Sequence, residues 1–134
     1  MRVRLSLVLA LLFCFAAAVP LYAQNAAGTL SALQAKETLS DEDQNQLRTW
    51  INQQIAAIVG GSASESQAAF ERLRDGAKGT PGFRDAYVSN CLTAFGSAYQ
   101  KATDIPAARL ITLLNLFKDV RALDTLLQAL RNEH

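Results

Sequence analysis

The chain has very little of the chemistry that most catalytic sites require. Its 134 residues include one histidine, His134, and two cysteines, Cys14 and Cys91. With no histidine in the body of the chain, neither a Ser-His-Asp nor a Cys-His arrangement can be assembled within one molecule. His134 lies in the tail, where a metal ligand would be poorly held. We therefore expect a protein that is not an enzyme, with no catalytic residues, no metal site and no cofactor.

An excess of charge of one sign is also missing. Thirteen Lys and Arg are matched by twelve Asp and Glu, a formal net charge of +1. A nucleic-acid-binding surface needs clustered basic residues that release counterions from phosphates, and an anionic membrane surface needs a similar cluster. The sequence therefore predicts neither nucleic acid nor a membrane as a partner of the mature protein. Alternating apolar and polar residues flanked by turn signals are absent too, so no strand is predicted.

Residues 1–23 have the order of a Sec-type signal peptide, which predicts a periplasmic or secreted protein. Two arginines precede an apolar stretch over residues 5–19, and Ala23 is a small residue at the expected cleavage point. Cleavage after Ala18 is the alternative. The apolar stretch is shorter than the roughly 20 residues that span a bilayer, which disfavours an uncleaved anchor. Cleavage would leave Cys91 as the single cysteine, so no internal disulfide is expected.

After a flexible leader over residues 24–38, apolar residues recur at helical spacing and predict about five helices within one all-α domain over residues 39–134. The predicted helices begin near Ser40, Ser64, Thr80, Asp104 and Asp119. Gly60 and Gly61 are expected to end the first helix by allowing a left-handed turn. Ser64 and Gln67 are interpreted as the capping box of the second helix.

Each of the first three predicted helices has one apolar face. The expected core consists of Leu47, Trp50, Ile51, Ile55, Ile58, Phe70, Leu73, Phe83, Tyr87, Cys91, Phe95 and Tyr99. The four-residue spacing of the aromatic side chains favours a packed core over a stacking platform for bases or sugars. Cys91 on this face is interpreted as a small buried hydrophobe rather than a reactive thiol.

The last two predicted helices contain the candidate partner site. The fourth is apolar nearly all round, which is typical of a helix buried on most sides or in contact with another chain. In the fifth, the side chains expected to point inward are Val120, Leu123, Leu126, Leu127 and Leu130. An exposed face of mixed charge is then formed by Arg121, Asp124, Gln128 and Arg131. We interpret this face as the candidate site for a partner, with a merely solvated face as the alternative.

The segment over residues 104–132 resembles a HEAT repeat of the kind found in phycobilin lyases and in bacterial scaffold proteins. Its second half, from Asp119 onward, follows the pattern Asp, any, Arg, Ala, apolar, any, any, Leu, Leu, any, Ala, Leu and a polar pair. Asp104 and Arg109 fall near the family's Asp and Arg, while Lys118 stands where the turn usually has glycine. The resemblance implies a short right-handed α-solenoid of stacked hairpins, in which the turn Asp caps a helix and arginines tie neighbouring units together.

These observations predict an exported, non-catalytic helical-repeat protein that acts as a protein-protein interaction or scaffold module. A HEAT hairpin buries only one side, so units must stack. An open end of such a stack, with Leu126 and Leu130 of the last predicted helix partly uncovered, predicts either self-association through that helix or a shortened relative of a longer repeat protein. Two alternatives stay open. One is an accessory subunit of an enzyme or lyase-like protein that captures a chromophore at Cys91, and the other is a small helical carrier of an apolar ligand.

Overall fold

The computed structural model describes residues 28–131, and every regular element there is a helix. A short helical segment covers residues 28–34, and five longer helices follow. Their bounds are Asp41–Gly60 for α1, Ala63–Gly76 for α2, Pro81–Tyr99 for α3, Asp104–Phe117 for α4 and Val120–Arg131 for α5. The predicted all-α fold is confirmed. The predicted signal peptide over residues 1–23 lies outside the described residues, as do Cys14 and His134.

Side-chain caps fix the starts of α1 and α3 where the sequence predicts them. The Ser40 hydroxyl accepts the Asp43 N–H at 3.2 Å, and the Asp43 carboxylate accepts the Ser40 N–H at 3.0 Å. The Thr80 hydroxyl accepts the Phe83 N–H at 3.2 Å, and Pro81 occupies the first turn of α3. The hydroxyls of Ser40 and Thr80 thus each accept a backbone N–H that has no partner within its helix.

The start of α2 and the end of α1 differ from the prediction. Ser62 and Glu65 form the capping box of α2, so the assignment of that role to Ser64 is wrong. Gly61 ends α1 in an extended conformation with φ −80° rather than in a left-handed turn. A glycine is needed there for close packing, because a Cβ at Gly61 would lie 2.5 Å from the Ala57 carbonyl oxygen.

The helices lie in an order of neighbours that is typical of stacked hairpins. The chain divides after Ala32, and the unit that begins at Leu33 holds all five long helices. Within it α1 packs against α3 and α3 against α5, while α2 packs against α4. Helix pairs that follow one another, α1 with α2, α3 with α4 and α4 with α5, are also in contact. Each helix therefore meets the helix two places further along the chain.

Tyr87 joins four of the helices at the centre of the core. Its ring centroid lies 6.4 Å from that of Trp50 in α1, 5.7 Å from that of Phe83 and 6.1 Å from that of Phe117 in α4. Its hydroxyl donates to the Leu73 carbonyl of α2 at 2.7 Å. The predicted aromatic core is therefore confirmed except for Phe70 of α2, which is only half-buried. The geometry of this core ties the first four helices together.

The end of the predicted leader is part of the packed unit. Leu33 is only 3% exposed. The Gln34 carbonyl accepts the Thr80 N–H at 3.0 Å, and the Gln34 side-chain amide donates to the Gly76 carbonyl at 3.2 Å. The Thr80 hydroxyl donates in turn to the Lys36 carbonyl at 2.5 Å. Packing therefore begins at Leu33, six residues before the domain boundary that the sequence suggests.

Candidate protein-binding face

Helix α5 presents four large apolar side chains to solvent, which we name the apolar row. Val120 is 78% exposed, Leu123 56%, Leu127 44% and Leu130 42%. The prediction that these four side chains point into the core is wrong. They follow one another at intervals of three, four and three residues, which places them along one stripe of the helix.

The side of α5 that faces the protein carries small residues instead. Ala122 and Ala129 are 7% and 3% exposed, and they are the buried residues of α5. A groove of about 430 Å³ between α3 and α5 is lined on the α3 side by residues that include Ser89, Thr93 and Gly96. Leu92 of α3 and Ala129 of α5 also line this groove, so α5 faces α3 with its small residues. The large apolar side chains of α5 are left on the outer side.

A second groove lies between α4 and α5 and borders the apolar row. Its volume is about 550 Å³, and its apolar lining includes Ile111 and Leu114 of α4 and Val120, Leu123 and Leu126 of α5. Leu126 and Ile111 are half-buried, so the groove is open to solvent. The groove and the row together form one apolar surface on the outer side of the α4–α5 hairpin. Exposed, contiguous apolar surface of this kind is typical of sites for proteins or apolar ligands.

Arg121, the first of the four candidate residues, is held within the chain. Its guanidinium donates to the Asp119 carboxylate at 2.7 and 3.0 Å and to Asp85 of α3 at 2.8 Å. Asp119 also accepts the Arg121 backbone N–H at 2.9 Å and thereby caps α5. These hydrogen bonds from Arg121 lower the pKa of Asp119 to about 2. Arg121 therefore fastens α5 to α3 rather than extending towards a partner.

The other three candidate residues, Asp124, Gln128 and Arg131, are exposed. Asp124 lies one turn after Val120 of the apolar row and Arg131 lies one turn after Leu127, so both charges line the same flank of the row. Among residues 28–131, neither charge has an ion-pair partner. Gln128 borders the groove between α3 and α5. The structure thus brings one acidic and one basic side chain to the edge of an exposed apolar surface.

Two further arginines make hydrogen bonds between helices. Arg109 of α4 donates to the hydroxyl of Ser66 in α2, and that hydroxyl donates to the Ile58 carbonyl of α1 at 2.9 Å. Arg84 of α3 donates to the Phe117 carbonyl at the end of α4, at 3.4 Å. The Arg109 contact joins α4 to α2, which are not consecutive in the chain, and the Arg84 contact joins the consecutive helices α3 and α4. They act as structural ties and leave the outer side of α5 uncovered.

Other chemistry-bearing residues of the chain do not form a site. Cys91 is 2% exposed, and burial raises the pKa of its thiol, so it is the small buried residue that the sequence predicts. Between residues 28 and 131, no three His, Cys, Asp or Glu side chains come together as metal ligands. None of the described helices is both long and apolar enough to cross a membrane.

Comparisons with protein families, with curated proteins and with solved structures found no match to this chain. Its function is therefore inferred from the arrangement of its own residues. The feature that sequence interpretation missed is the exposure of Val120, Leu123 and Leu127, since only Leu130 of the apolar row is expected from the sequence to be partly uncovered. The signal was present as the regular spacing of Val120, Leu123, Leu127 and Leu130, which is the spacing of a helix-pairing seam. A periodic pattern shows that a helix has an apolar stripe, but it does not show what covers the stripe.

Proposed function

We propose that this chain is an exported, non-catalytic helical-repeat protein that binds another protein through the outer side of its α4–α5 hairpin. The exposure of the apolar row carries this proposal. Leaving large apolar side chains in water costs free energy that burial against a partner would recover, at roughly 25 cal/mol per Å². A flank with one acidic and one basic residue supplies a polar rim of the kind that surrounds protein interfaces.

Three observations support a helical repeat of the HEAT type. Each helix contacts the one two places along the chain. Asp119 caps α5 and Arg121 reaches the carboxylate of Asp85 in α3, which are the roles that the resemblance implies for these positions. Lys118 adopts a left-handed conformation with φ 51° at the end of α4, where the family usually has glycine. A hairpin of this type stacks on another hairpin, so the outer side of the last hairpin is a natural docking surface.

The proposal of export rests on the sequence of residues 1–23. Expression of the full chain in a bacterial host, followed by intact-mass measurement of the recovered protein, tests it directly. We expect a mature protein that begins at Gln24, or at Val19 if the alternative position is used. Recovery of the full chain from the cytoplasm, with Met1 or Arg2 as its first residue, would contradict export.

The binding proposal is tested by chemical cross-linking of the recovered protein in an envelope extract. The variant Leu127→Lys places a charge in the apolar row, and Gln53→Lys makes the same addition at an exposed position of α1. We expect cross-linked products with the parent and with Gln53→Lys, and their loss with Leu127→Lys. The same products from all three proteins would mean that the apolar row is not the binding surface.

A carrier of an apolar ligand is a second candidate, favoured by the apolar groove of about 550 Å³ between α4 and α5. Native mass spectrometry of the recovered protein separates the two functions, because a carrier should retain a small molecule. The lyase-like alternative has less support. Covalent capture of a chromophore requires an accessible thiolate, whereas the Cys91 thiol is buried and its pKa is raised by that burial.

A further inference from the structure

We infer that the protein bound by the apolar row is a second copy of this chain, whose α5 lies antiparallel to the first across a two-fold axis. This inference rests on the proposed function and specifies its partner. The exposed side chains of α5 are complementary to themselves when the helix is turned end for end. Their spacing and their charges both fix the same register.

The spacing of the apolar row matches itself in the antiparallel direction. A two-fold axis that crosses the apolar row at the height of residue 125 places Val120 of one copy opposite Leu130 of the other, and Leu123 opposite Leu127. Symmetry repeats each pair, so four apolar layers form along the two helices. Intervals of three and four residues are those of a coiled-coil seam, in which each side chain enters a space between side chains of the facing helix.

The charges on the flank of the row favour this register. In the antiparallel pair, Asp124 of one copy lies on the same flank as Arg131 of the other, about five residues apart along the helix axis, or roughly 7 Å. Side chains on a helix lean towards its N-terminus, so these two lean towards each other. Symmetry provides the pair twice. The two Asp124 side chains lie only two residues, or about 3 Å, apart along the axis, but they lean in opposite directions, whereas Asp124 and the longer Arg131 side chain lean towards each other.

A parallel pair of the same helices lacks this complementarity. It would place Asp124 beside Asp124 and Arg131 beside Arg131, because equal positions face each other in register. Like charges across an interface are unfavourable. The other flank of the row is bordered by Leu126 and by the apolar groove between α4 and α5, so a helix lying on the row also covers part of that groove.

The test is the oligomeric state of the protein recovered after expression of the full chain, measured by light scattering and sedimentation over a wide range of concentration. We expect a monomer that becomes a dimer as concentration rises. Leu127→Lys should remain monomeric while keeping its helical circular dichroism. If that variant fails to fold, Val120→Lys replaces it, because Val120 is 78% exposed. A parent protein that stays monomeric throughout would overturn the inference, as would a dimer that neither substitution weakens.

Charge exchange tests the register. Asp124→Arg alone and Arg131→Asp alone each turn two attractive pairs into two repulsive ones, so each should weaken the dimer by about tenfold. The double variant Asp124→Arg with Arg131→Asp restores opposite charges and should return to the parent affinity. An equimolar mixture of the two single variants should also form a dimer, because both pairs between the different chains are attractive. Failure of the double variant to recover would overturn the antiparallel register.

These results also separate the inference from the proposed function. Suppose that the parent is a monomer and cross-links to an envelope protein, and that this product is lost in Leu127→Lys. That result would contradict the inference of a second copy and would support the proposed binding function. A dimer without any other cross-linked protein would support the second copy as the partner. The control Gln53→Lys adds one positive charge away from α5 and should leave the dimer unchanged.

Discussion

Replacing Tyr87 by phenylalanine removes one oxygen atom from the centre of the core and keeps the aromatic ring. In the folded protein that oxygen donates to the Leu73 carbonyl at 2.7 Å. Leu73 lies in the last turn of α2, where backbone carbonyls lack partners within the helix. Burial raises the pKa of Tyr87, so its hydroxyl remains a donor at any ordinary pH. We expect Tyr87→Phe to lower the free energy of unfolding by about 1–3 kcal/mol, because a buried carbonyl is left without a donor.

Urea unfolding followed by far-UV circular dichroism measures this change. In a unit of about 100 residues, each kcal/mol should also lower the Tm by about 4–8 °C. The matched control is Thr93→Val, which removes an exposed hydroxyl bonded to the Ser89 carbonyl of the same helix. That control should change stability by less than about 0.5 kcal/mol. A Tyr87→Phe protein as stable as the parent, with an unchanged m-value, would refute the role of the hydroxyl as the partner of α2.

Three other perturbations have expected outcomes. Gly76→Ala places a Cβ 2.5 Å from the Tyr87 hydroxyl oxygen and should destabilise the protein by about 1–3 kcal/mol. In urea unfolding, the double variant with Tyr87→Phe should lose less stability than the sum of the two single losses. Strict additivity of the two losses would contradict the clash. Lys118→Gly should raise the Tm, because Lys118 has φ 51° and glycine adopts that conformation without steric cost; a lower Tm would show that the lysine side chain contributes more than its backbone costs. The Arg121 hydrogen bonds lower the pKa of Asp119 from 3.8 to about 2, so the stabilising contribution of Asp119 is complete above about pH 4 and is lost as the pH falls towards 2. The free energy of unfolding measured across that window should depend less on pH in Asp119→Asn than in the parent. An equal pH dependence in the two proteins would contradict the pairing.

Local sequence signals predicted where the helices begin, because a cap is a short-range interaction. Ser40 and Thr80 each lie three residues before the backbone amide that their hydroxyl accepts, and both cap as predicted. The error at α2 arose because Ser62 and Ser64 both precede suitable residues. The choice between them depends on the residue at which α1 ends. The close packing of Gly61 against the Ala57 carbonyl fixes that residue, and Ser62 then follows directly.

The orientation of α5 could not be predicted from its own pattern. Its apolar residues form a regular stripe, and a stripe normally faces the core. Here Ala122 and Ala129 are the buried residues of α5, so the apolar stripe lies on the outer side of the helix. The candidate charges Asp124 and Arg131 were predicted correctly as exposed, whereas the internal bonds of Arg121 depend on Asp85, which lies far away in the sequence.

The attachment of α5 through Ala122 and Ala129 has a consequence for local unfolding of the protein. Only two residues of α5 are fully buried, and both are alanines, whereas α3 has seven buried side chains. Separating α5 from the remainder should therefore require much less free energy than global unfolding. Amide protons of α5 should exchange with deuterated solvent well before those around Tyr87. If the second copy covers α5, the difference in exchange rate between α5 and the core should shrink as protein concentration rises. Helix α5 would then be protected from exchange only in the dimer.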